Sequence, residues 1–435
     1  MITISKILVD TEKGRCLVAT KPIRRGETIL IDEALLTAPS PNSTPVCPSC
    51  LLKIQGNDID SVEKCIQCSI PICGRPECRQ NYMKTHGSEC RIFAANKVNI
   101  DIKNFDNPNS IYSSIGPIRL LETRQKSIKN EDGVWSKISH LPDHSEERRN
   151  LRGGEWNMFQ LDVVDLLRDR CFMKNDISEE ELHRIIGIWV VNSISLDNNK
   201  KIHGRALFPI FSMLNHDCLS NAKFQINADG INSNPKICVK ARRDIEADEE
   251  ITIQYITSIL GTQKRRKRLR SDYYFDCKCQ RCKDVTECRT FVSAIVCEAC
   301  GERSEHYMLP SNPLDEYSIW SCSHCDFTLD VEDVVRKVDG IEDEITEITV
   351  KHDITSIQKF VEHYSQTILH PNHYLLLLAK RNHMFLCRKM MIQLIARLKG
   401  SSAEADEMKE TLKKQCDLFK SHLDVLEMIN CGSKS

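Results

Sequence analysis

Cysteine and histidine residues between positions 47 and 90 occur at spacings that suit metal coordination. Two C-x2-C pairs are followed by a C-x4-C pair and an H-x3-C pair. The residues are Cys47, Cys50, Cys65, Cys68, Cys73, Cys78, His86 and Cys90. A C-x2-C pair directs two thiolates at one ion, and structural zinc takes four sulfur or nitrogen ligands. Eight ligands therefore predict two zinc sites that supply much of the local folding free energy.

Two further cysteine groups follow towards the carboxyl terminus. The first offers three thiolates, and the cysteine of an Asn-His-Asp-Cys segment is the candidate fourth ligand. These residues are Cys218, Cys277, Cys279 and Cys282. The second group has the two-pair spacing of a zinc ribbon. Its residues are Cys297, Cys300, Cys322 and Cys325. The sequence thus predicts three or four structural zinc ions.

Composition supports metal binding rather than disulfide bonding. The chain has 22 cysteines, and its first residues lack the charged and apolar regions of a secretory signal. Its 60 basic and 61 acidic residues nearly cancel, so no global field attracts nucleic acid. No long uncharged apolar window predicts a membrane span. At 435 residues, two or three packed units are expected.

Two polar segments next to apolar runs are candidates for catalysis. The apolar stretch that begins at Phe208 leads directly into Asn215 and His216. Farther along, residues 248–255 alternate polar and apolar residues, which predicts a half-buried strand that ends at Tyr255. Either segment alone is weak evidence for a catalytic site, because such residues usually form turns or contribute to packing. Their combination and order carry the prediction.

These segments, followed by the C-x-C-x2-C group, resemble the SET domain of lysine methyltransferases. The Gly-Arg-Cys-Leu-Val-Ala-Thr stretch at 14–20 is similar to the amino-terminal cofactor-binding strand of that domain. The zinc-ligand cluster at 47–90 resembles the MYND finger. The chain is identified as a member of the SET and MYND family, closest to its arthropod-type members, over residues 4 to 285.

The resemblance implies how the ligands share their metals and which residues act. Cys47, Cys50, Cys73 and Cys78 would hold one zinc, and Cys65, Cys68, His86 and Cys90 the other. The cofactor would be S-adenosylmethionine. Its implied contacts are Arg15, Asn192, Asn215, His216, Tyr255 and Phe275. The implied catalytic residues are Tyr255 and Tyr273, which would orient and enclose a lysine amine.

The family resemblance implies a protein-lysine N-methyltransferase that acts on histone or non-histone proteins. Cys16 stands where the family commonly has glycine, and Ile194 stands where it has an aromatic residue. These departures motivate an alternative, a weakly active or inactive MYND-type adaptor in transcriptional regulation. Peptide partners of the finger are expected, membrane and nucleic-acid partners are not, and a monomer in cytoplasm and nucleus is predicted.

The expected fold class is α+β. A SET β-core would carry an inserted MYND finger, a post-SET zinc, a zinc ribbon and a tetratricopeptide-like helical domain. The predicted divisions are 1–46 amino-terminal SET portion, 47–90 finger, 91–200 helical insertion, 201–258 SET core, 259–285 post-SET segment, 286–330 ribbon and 331–435 helical domain. The last is expected to be shorter than in the family. Asn- and Asp-rich stretches at 96–110 and 129–157 predict loops.

Residues 264–270, Lys-Arg-Arg-Lys-Arg-Leu-Arg, form a dense basic run. Such a run is typical of nuclear import signals and nucleic-acid contacts. A solvated helix face beside the post-SET zinc is the interpretation we favour, because the family has charged helices at this place.

Overall fold

The computed structural model of the protein describes most of the chain. The described residues are 4–10, 14–54, 62–98, 100, 102, 106–130, 133–197, 202–227, 234–301, 305–397 and 425. They form two compact units. The first comprises residues 1–215, 222–252 and 271–274, and the second residues 216–221, 253–270 and 275–435. Within the described part, no helix combines the length and apolar character needed to cross a bilayer.

Short antiparallel sheets form the β-structure of the first unit. The strands are β1 Ser5–Asp10, β2 Gly14–Ala19, β3 Thr28–Glu33, β4 Leu36–Pro39, β5 Ile194–Ser195, β6 Gly204–Leu207, β8 Ala222–Asn227 and β9 Lys236–Ala241. β1 pairs with β2, and two three-stranded sheets have the orders β3-β9-β8 and β4-β6-β5. In β9, Ile237 and Val239 are buried at alternate positions, as a strand with one covered face requires.

Two minimal strands lie where the chain crosses between the units: β7 Asn215–His216 and β10 Thr252–Ile253. The predicted strand at 248–255 is therefore wrong in extent. Asp248 has a left-handed backbone with φ 62°, which no strand accommodates. Only the end of the alternating stretch is extended.

Helices form the last part of the finger and the region from there to β5. They are α1 Pro76–Ala95, α2 Ile111–Asn130, α3 Val134–Ile138, α4 Ser145–Leu151, α5 Gly153–Phe159 and α6 Glu179–Asn192, with a π-helical segment Gln160–Arg170 after α5. α6 begins at a cap, since the Ser178 hydroxyl accepts the N–H of Glu181 at 3.1 Å. Their apolar faces meet around fully buried residues such as Trp189, Phe159 and Tyr112.

The predicted loop at 129–157 is wrong, because α3, α4 and most of α5 lie within it. Local charges explain the error. Glu146 and Glu147 occupy the first turn of α4, and Arg148 and Arg149 the last, so both ends of this short helix match its dipole. Because the stretch is rich in polar residues, this arrangement of charges was not recognised as a helix signal. The stretch at 96–110 falls partly outside the described residues.

The second unit joins a four-stranded sheet to helices. The antiparallel strands, in the order β11-β12-β13-β14, are β11 Ile295–Val296, β12 Tyr307–Pro310, β13 Trp320–Cys322 and β14 Thr328–Leu329. The helices are α7 Thr262–Tyr273, whose residues 271–273 belong to the first unit, α8 Gln280–Lys283, α9 Val331–Val350, α10 Ile354–Thr367 and α11 Tyr374–Arg397. Residues 398–435, the last part of the predicted helical domain, lie outside the described residues except for buried Val425.

Candidate active site and zinc centres

The finger brings its eight predicted ligands together as two sets of four. In the first set the Sγ atoms of Cys47 and Cys78 are 3.4 Å apart, and those of Cys50 and Cys73 are 3.6 Å apart. All four ligand atoms lie within 4.8 Å of one another. The long C-x4-C spacing arises because α1 begins at Pro76, a residue suited to a first helical turn.

The second finger set contains Cys65, Cys68, His86 and Cys90. His86 and Cys90 lie on α1, four residues apart and therefore on the same face of that helix. The Nε2 atom of His86 is 3.3 Å from Cys68 Sγ, and Cys65 Sγ is 3.7 Å from Cys90 Sγ. All four residues are buried. These are the two ligand sets that the family resemblance implies.

A buried ionic network supports the second finger site. Glu89 receives a hydrogen bond from His86 Nδ1 at 2.9 Å, which leaves Nε2 free to bind metal. Arg119 donates to Glu89 at 3.0 Å, to the Thr37 carbonyl of β4 at 2.6 Å and to the Pro48 carbonyl at 2.9 Å. Burial alone would raise the pKa of Glu89, but Arg119 and His86 hold it below its ordinary value.

The third cluster of predicted zinc ligands lies in the second unit. It contains Cys218, the predicted fourth ligand. Cys218 Sγ is 3.6 Å from Cys282 Sγ and 4.0 Å from Cys277 Sγ, and Cys279 completes the set. Arg265, which is buried, donates from Nε to Cys218 Sγ at 3.2 Å. This contact places a positive charge beside the thiolates and offsets part of their negative charge.

Glu287 balances the positive charge behind this third cluster. Its carboxylate accepts from Arg265 at 2.6 Å and from Arg281 at 3.2 Å. Burial raises the pKa of Glu287, but the two guanidinium groups outweigh burial and lower that pKa to about 2. The arrangement is a buried Arg–Glu–Arg triad joined to a metal cluster.

The fourth cluster connects the β11–β14 sheet. Cys297 Sγ is 3.7 Å from Cys325 Sγ, and Cys300 Sγ is 3.8 Å from Cys322 Sγ. Four thiolates bound to zinc at about 2.3 Å would be roughly 3.8 Å apart in a regular tetrahedron. The sulfur separations in all four clusters fit that geometry, so the described residues are compatible with four zinc ions. The structure brings the residues of each predicted ligand set together.

Three predicted site residues meet in the second unit. The Tyr255 backbone N–H donates to His216 Nδ1 at 3.0 Å, and the two rings are 5.4 Å apart. Phe275 lies 6.0 Å from the His216 ring and meets the Tyr255 ring edge-on, at 6.4 Å and 89°. His216 Nε2 is also 3.3 Å from Cys218 Sγ, a zinc-cluster sulfur. The aromatic group is thus joined directly to the third cluster.

The remaining predicted contacts lie in the first unit. Asn215 donates its amide to Glu250 at 2.9 Å, and Asn192 donates to the carbonyls of Pro142 and Ile188 at 2.8 and 2.9 Å. Both side chains therefore keep an oxygen able to accept a hydrogen bond. Partial burial lowers the pKa of Arg15, and no carboxylate among the described residues forms an ion pair with it.

Tyr273 and the two departures from the family pattern also lie in the first unit. Tyr273 ends α7 and is half-buried, close enough to Arg205 for its phenol to oppose the burial that lowers the Arg205 pKa. Cys16 is buried in β2. Ile194 is half-buried in β5 and pairs with Ala206 of β6.

Internal contacts use much of the charge of the basic run in α7. Lys264 forms ion pairs with Asp339 at 2.9 Å and Glu342 at 2.7 Å. Arg265 donates a hydrogen bond to Cys218 of the third cluster, and Arg270 pairs with Asp276 at 2.7 Å. These contacts favour the structural interpretation of the run over a nucleic-acid surface.

A family model described as "SET domain" matches residues 14–256. That match covers more than half of the chain, and the chain belongs to the SET domain family. Among its relatives, the SET domain-containing protein SmydA-8, isoform B, of Drosophila melanogaster is 26% identical over 324 residues, 72% of this chain and 64% of that protein. The predicted resemblance to arthropod-type members of the SET and MYND family is confirmed.

Other relatives have related names. Human histone-lysine N-methyltransferase SMYD3 is 27% identical over 286 residues, 62% of this chain and 60% of that protein. This chain spans less than two thirds of the length of both relatives. A solved structure described as the SET domain of LSMT bound to lysine and AdoHcy matches at 14% identity, covering 98% of this chain and 88% of that one, with a TM-score of 0.37.

Proposed function

We propose that the protein transfers methyl groups from S-adenosylmethionine to lysine side chains of other proteins, histone or non-histone. The observation that carries this proposal is the placement of Tyr255, whose backbone is held by His216 and whose ring is packed edge-on by Phe275. Both contacts restrict where the Tyr255 hydroxyl can lie. A fixed hydroxyl beside aromatic rings suits the orientation of an amine.

The polar residues of the first unit fit a cofactor with an amino-acid portion, which carries a negative carboxylate and a positive ammonium group. Arg15 is a cation without a described carboxylate partner, which suits a carboxylate ligand. Asn192 has committed its amide hydrogens to Pro142 and Ile188, so its free oxygen suits an ammonium donor. We assign Asn215 to the same cofactor for two reasons: it belongs to the Asn-His-Asp-Cys segment, and its amide oxygen can accept a hydrogen bond.

S-adenosylmethionine supplies an electrophilic methyl group on a sulfonium, so the reaction requires a neutral, aligned lysine amine and no metal at the reacting carbon. In our proposal the Tyr255 hydroxyl orients the amine, and the Tyr273 ring forms a wall of the lysine channel. Aromatic walls stabilise an alkylammonium group. They also desolvate it, which lowers the lysine pKa and favours the nucleophilic free amine. We assign the zinc clusters to structure.

The finer architecture belongs to the same proposal. We interpret residues 47–90 as a MYND finger that binds peptide partners, and residues 331–435 as a helical domain that borders the substrate. We expect a monomer that acts in cytoplasm and nucleus. The finger and zinc-cluster contacts support the first assignment.

Calorimetric titration of S-adenosylmethionine into zinc-loaded protein tests the proposal. Saturable binding in the micromolar range is expected, with affinity reduced at least about tenfold in Asn215→Ala. An Asn312→Ala variant is a suitable control because it removes the same type of side chain from the turn before β13, where it accepts the Leu314 N–H and is not one of the proposed cofactor contacts. Incorporation of labelled methyl groups into core histones or a protein extract would then identify the substrate class.

Absence of binding to folded protein would contradict the enzymatic proposal. That result would support the alternative adaptor function, which Cys16 favours on structural grounds. Its side chain is buried in β2, where the family commonly has glycine. Partner capture that persists in Asn215→Ala would then identify the finger as the functional module.

A further inference from the structure

Tyr274 separates Tyr273 from Phe275 and has an unusual backbone conformation. Its φ is 61°, in the left-handed region that residues with a β-carbon rarely adopt. Such a conformation persists only where surrounding contacts enforce it. The contacts of the Tyr274 side chain therefore have consequences for both of its neighbours in the sequence.

The Tyr274 ring packs on the start of α4. Its centroid is 4.9 Å from that of the His144 ring, with 35° between the ring planes. His144 is itself left-handed, with φ 47°, and immediately precedes α4. Two residues with unfavourable backbone conformations thus meet through their side chains. Strained residues that touch one another are a recurrent feature of functional sites.

The phenol end of Tyr274 lies near the junction between α4 and α5. Arg152, between these helices, pairs with Glu155 at 3.0 Å and lies close enough to the Tyr274 phenol to oppose the increase in pKa that burial causes in that phenol. Behind this pair the buried Arg148 guanidinium lies over the Trp156 ring, at 5.5 Å from its centroid. Cation–π packing of this kind stabilises the contact between α4 and α5 beside the tyrosine.

We propose that Tyr274 is a positioning residue whose docking on His144 and Arg152 fixes the orientation of Tyr273. The proposal rests on the function proposed above, in which Tyr273 forms a wall of the lysine channel. It gives the helical insertion a specific task, since α4 and α5 hold the segment that carries a channel residue. A displacement of about 1 Å at a reacting group can reduce turnover roughly 100-fold.

The test compares four variants of the full-length, zinc-loaded chain. Tyr274→Ala removes ring and phenol, Tyr274→Phe keeps the ring, and Arg152→Gln removes the guanidinium. Tyr317→Ala is the matched control, because Tyr317 is 72% exposed in the loop before β13. Hydrogen exchange of backbone amides 271–276 reports the local order directly. Methylation of core histones with labelled S-adenosylmethionine and calorimetric cofactor binding report the site.

Tyr274→Ala should accelerate exchange at 271–276 by about tenfold or more and reduce kcat/KM by about 10- to 100-fold. Its cofactor Kd should stay within about threefold of the wild type. Tyr274→Phe should recover most of the loss, Arg152→Gln should match Tyr274→Phe, and the control should match the wild type. A purely structural role would lower the melting temperature without this separation of turnover from cofactor affinity.

Unchanged exchange at 271–276 in Tyr274→Ala would overturn the inference, as would an equal change in Tyr317→Ala. If Tyr274→Ala does not fold, Tyr274→Phe and Arg152→Gln decide the matter by the same exchange measurement. If the wild type binds no S-adenosylmethionine, the proposed function fails, whereas the exchange result still decides whether Tyr274 orders this segment.

Discussion

The Nδ1 atom of His216 accepts a hydrogen bond from the backbone N–H of Tyr255 at 3.0 Å. A backbone N–H can only donate, so Nδ1 must be unprotonated and the ring proton of neutral His216 must be on Nε2. That proton faces Cys218 Sγ, 3.3 Å away. His216 therefore links the third metal cluster to the backbone of the proposed catalytic tyrosine.

Substitution of His216 should separate these two contacts. We expect His216→Ala to lower cofactor affinity at least about tenfold, because an unsatisfied Tyr255 N–H costs about 1–3 kcal/mol. His216→Asn should recover part of the affinity, since its side-chain oxygen can replace Nδ1, whereas His216→Gln should not. Calorimetry measures the affinities. Zinc content should be unchanged in all three, because the four thiolates remain; loss of zinc would show that the affinity falls through the cysteine cluster and not through the lost contact with Tyr255.

Replacement of Tyr255 by phenylalanine tests the role of its hydroxyl alone. The backbone hydrogen bond to His216 and the ring contact with Phe275 remain in Tyr255→Phe. Turnover should fall about 100-fold or more, while cofactor affinity stays within about threefold. Steady-state methylation assays measure the change, with Tyr317→Phe as control. Full activity of Tyr255→Phe would exclude the assigned role.

Metal analysis should find about four zinc ions per chain, one for each cluster. Removal of zinc by a strong chelator should unfold the finger, because each structural zinc contributes on the order of 10 kcal/mol to folding. Far-ultraviolet circular dichroism and elemental analysis measure both effects. A chelated protein that retained its full melting temperature would show that the clusters do not depend on metal.

Glu89→Gln should weaken the second finger zinc specifically. The substitution removes the charge that orients His86 and leaves Arg119 buried without its counter-ion. Loss of such a partner is typically followed by a 10- to 100-fold decrease in metal affinity. Zinc release to a chromogenic chelator measures it. Glu347→Gln, at an exposed ion pair with Lys351, provides the matched control and should release zinc like the wild type.

His183 should make the protein sensitive to acid. Burial first, and then Arg148 and Arg149, lower its pKa from 6.5 to about 4. The unfolded chain therefore binds more protons between these values, and the free energy of unfolding should fall as pH drops from 6.5 towards 4. His183→Phe, which can keep the ring stacked on Trp156 at 3.6 Å, should show a shallower decline.

Urea titrations across that pH range measure the difference between His183→Phe and the wild type. His140→Phe, at an exposed position, serves as the control. Equal slopes in the wild type and His183→Phe would contradict the assignment of the pH dependence to His183, whatever the effect of the substitution on stability at neutral pH.

Local spacing predicted the metal ligands because it is itself part of their chemistry. Cys297 and Cys300 must lie close in sequence to face one ion, so their pattern survives without knowledge of the fold. The supporting charges are different. Arg119 and Glu89 are separated by 30 positions and meet only when α2 packs beside α1. No periodicity marks such a pair, and the sequence reasoning missed both residues.

In the helical insertion, by contrast, the sequence did not predict the secondary structure correctly. Its polar α3–α5 region looked like a loop because the helices are short and their order depends on contacts made elsewhere. Arg148 illustrates the point, since it is buried over Trp156 and Phe159 although arginine is usually exposed. A buried charged residue can be recognised only when the residues that pack against it are known from the fold. The Tyr274 contact with His144 was missed for the same reason.

The Arg119 hydrogen bonds also limit how the finger can be transplanted. A fragment comprising residues 47–90 would retain every zinc ligand but would bring Glu89 along without the guanidinium that neutralises it. The Pro48 carbonyl would lose its donor as well. A portable version of the finger therefore requires α2 in addition to the residues that define it by sequence. In evolutionary terms, the finger and its host helix are expected to change together.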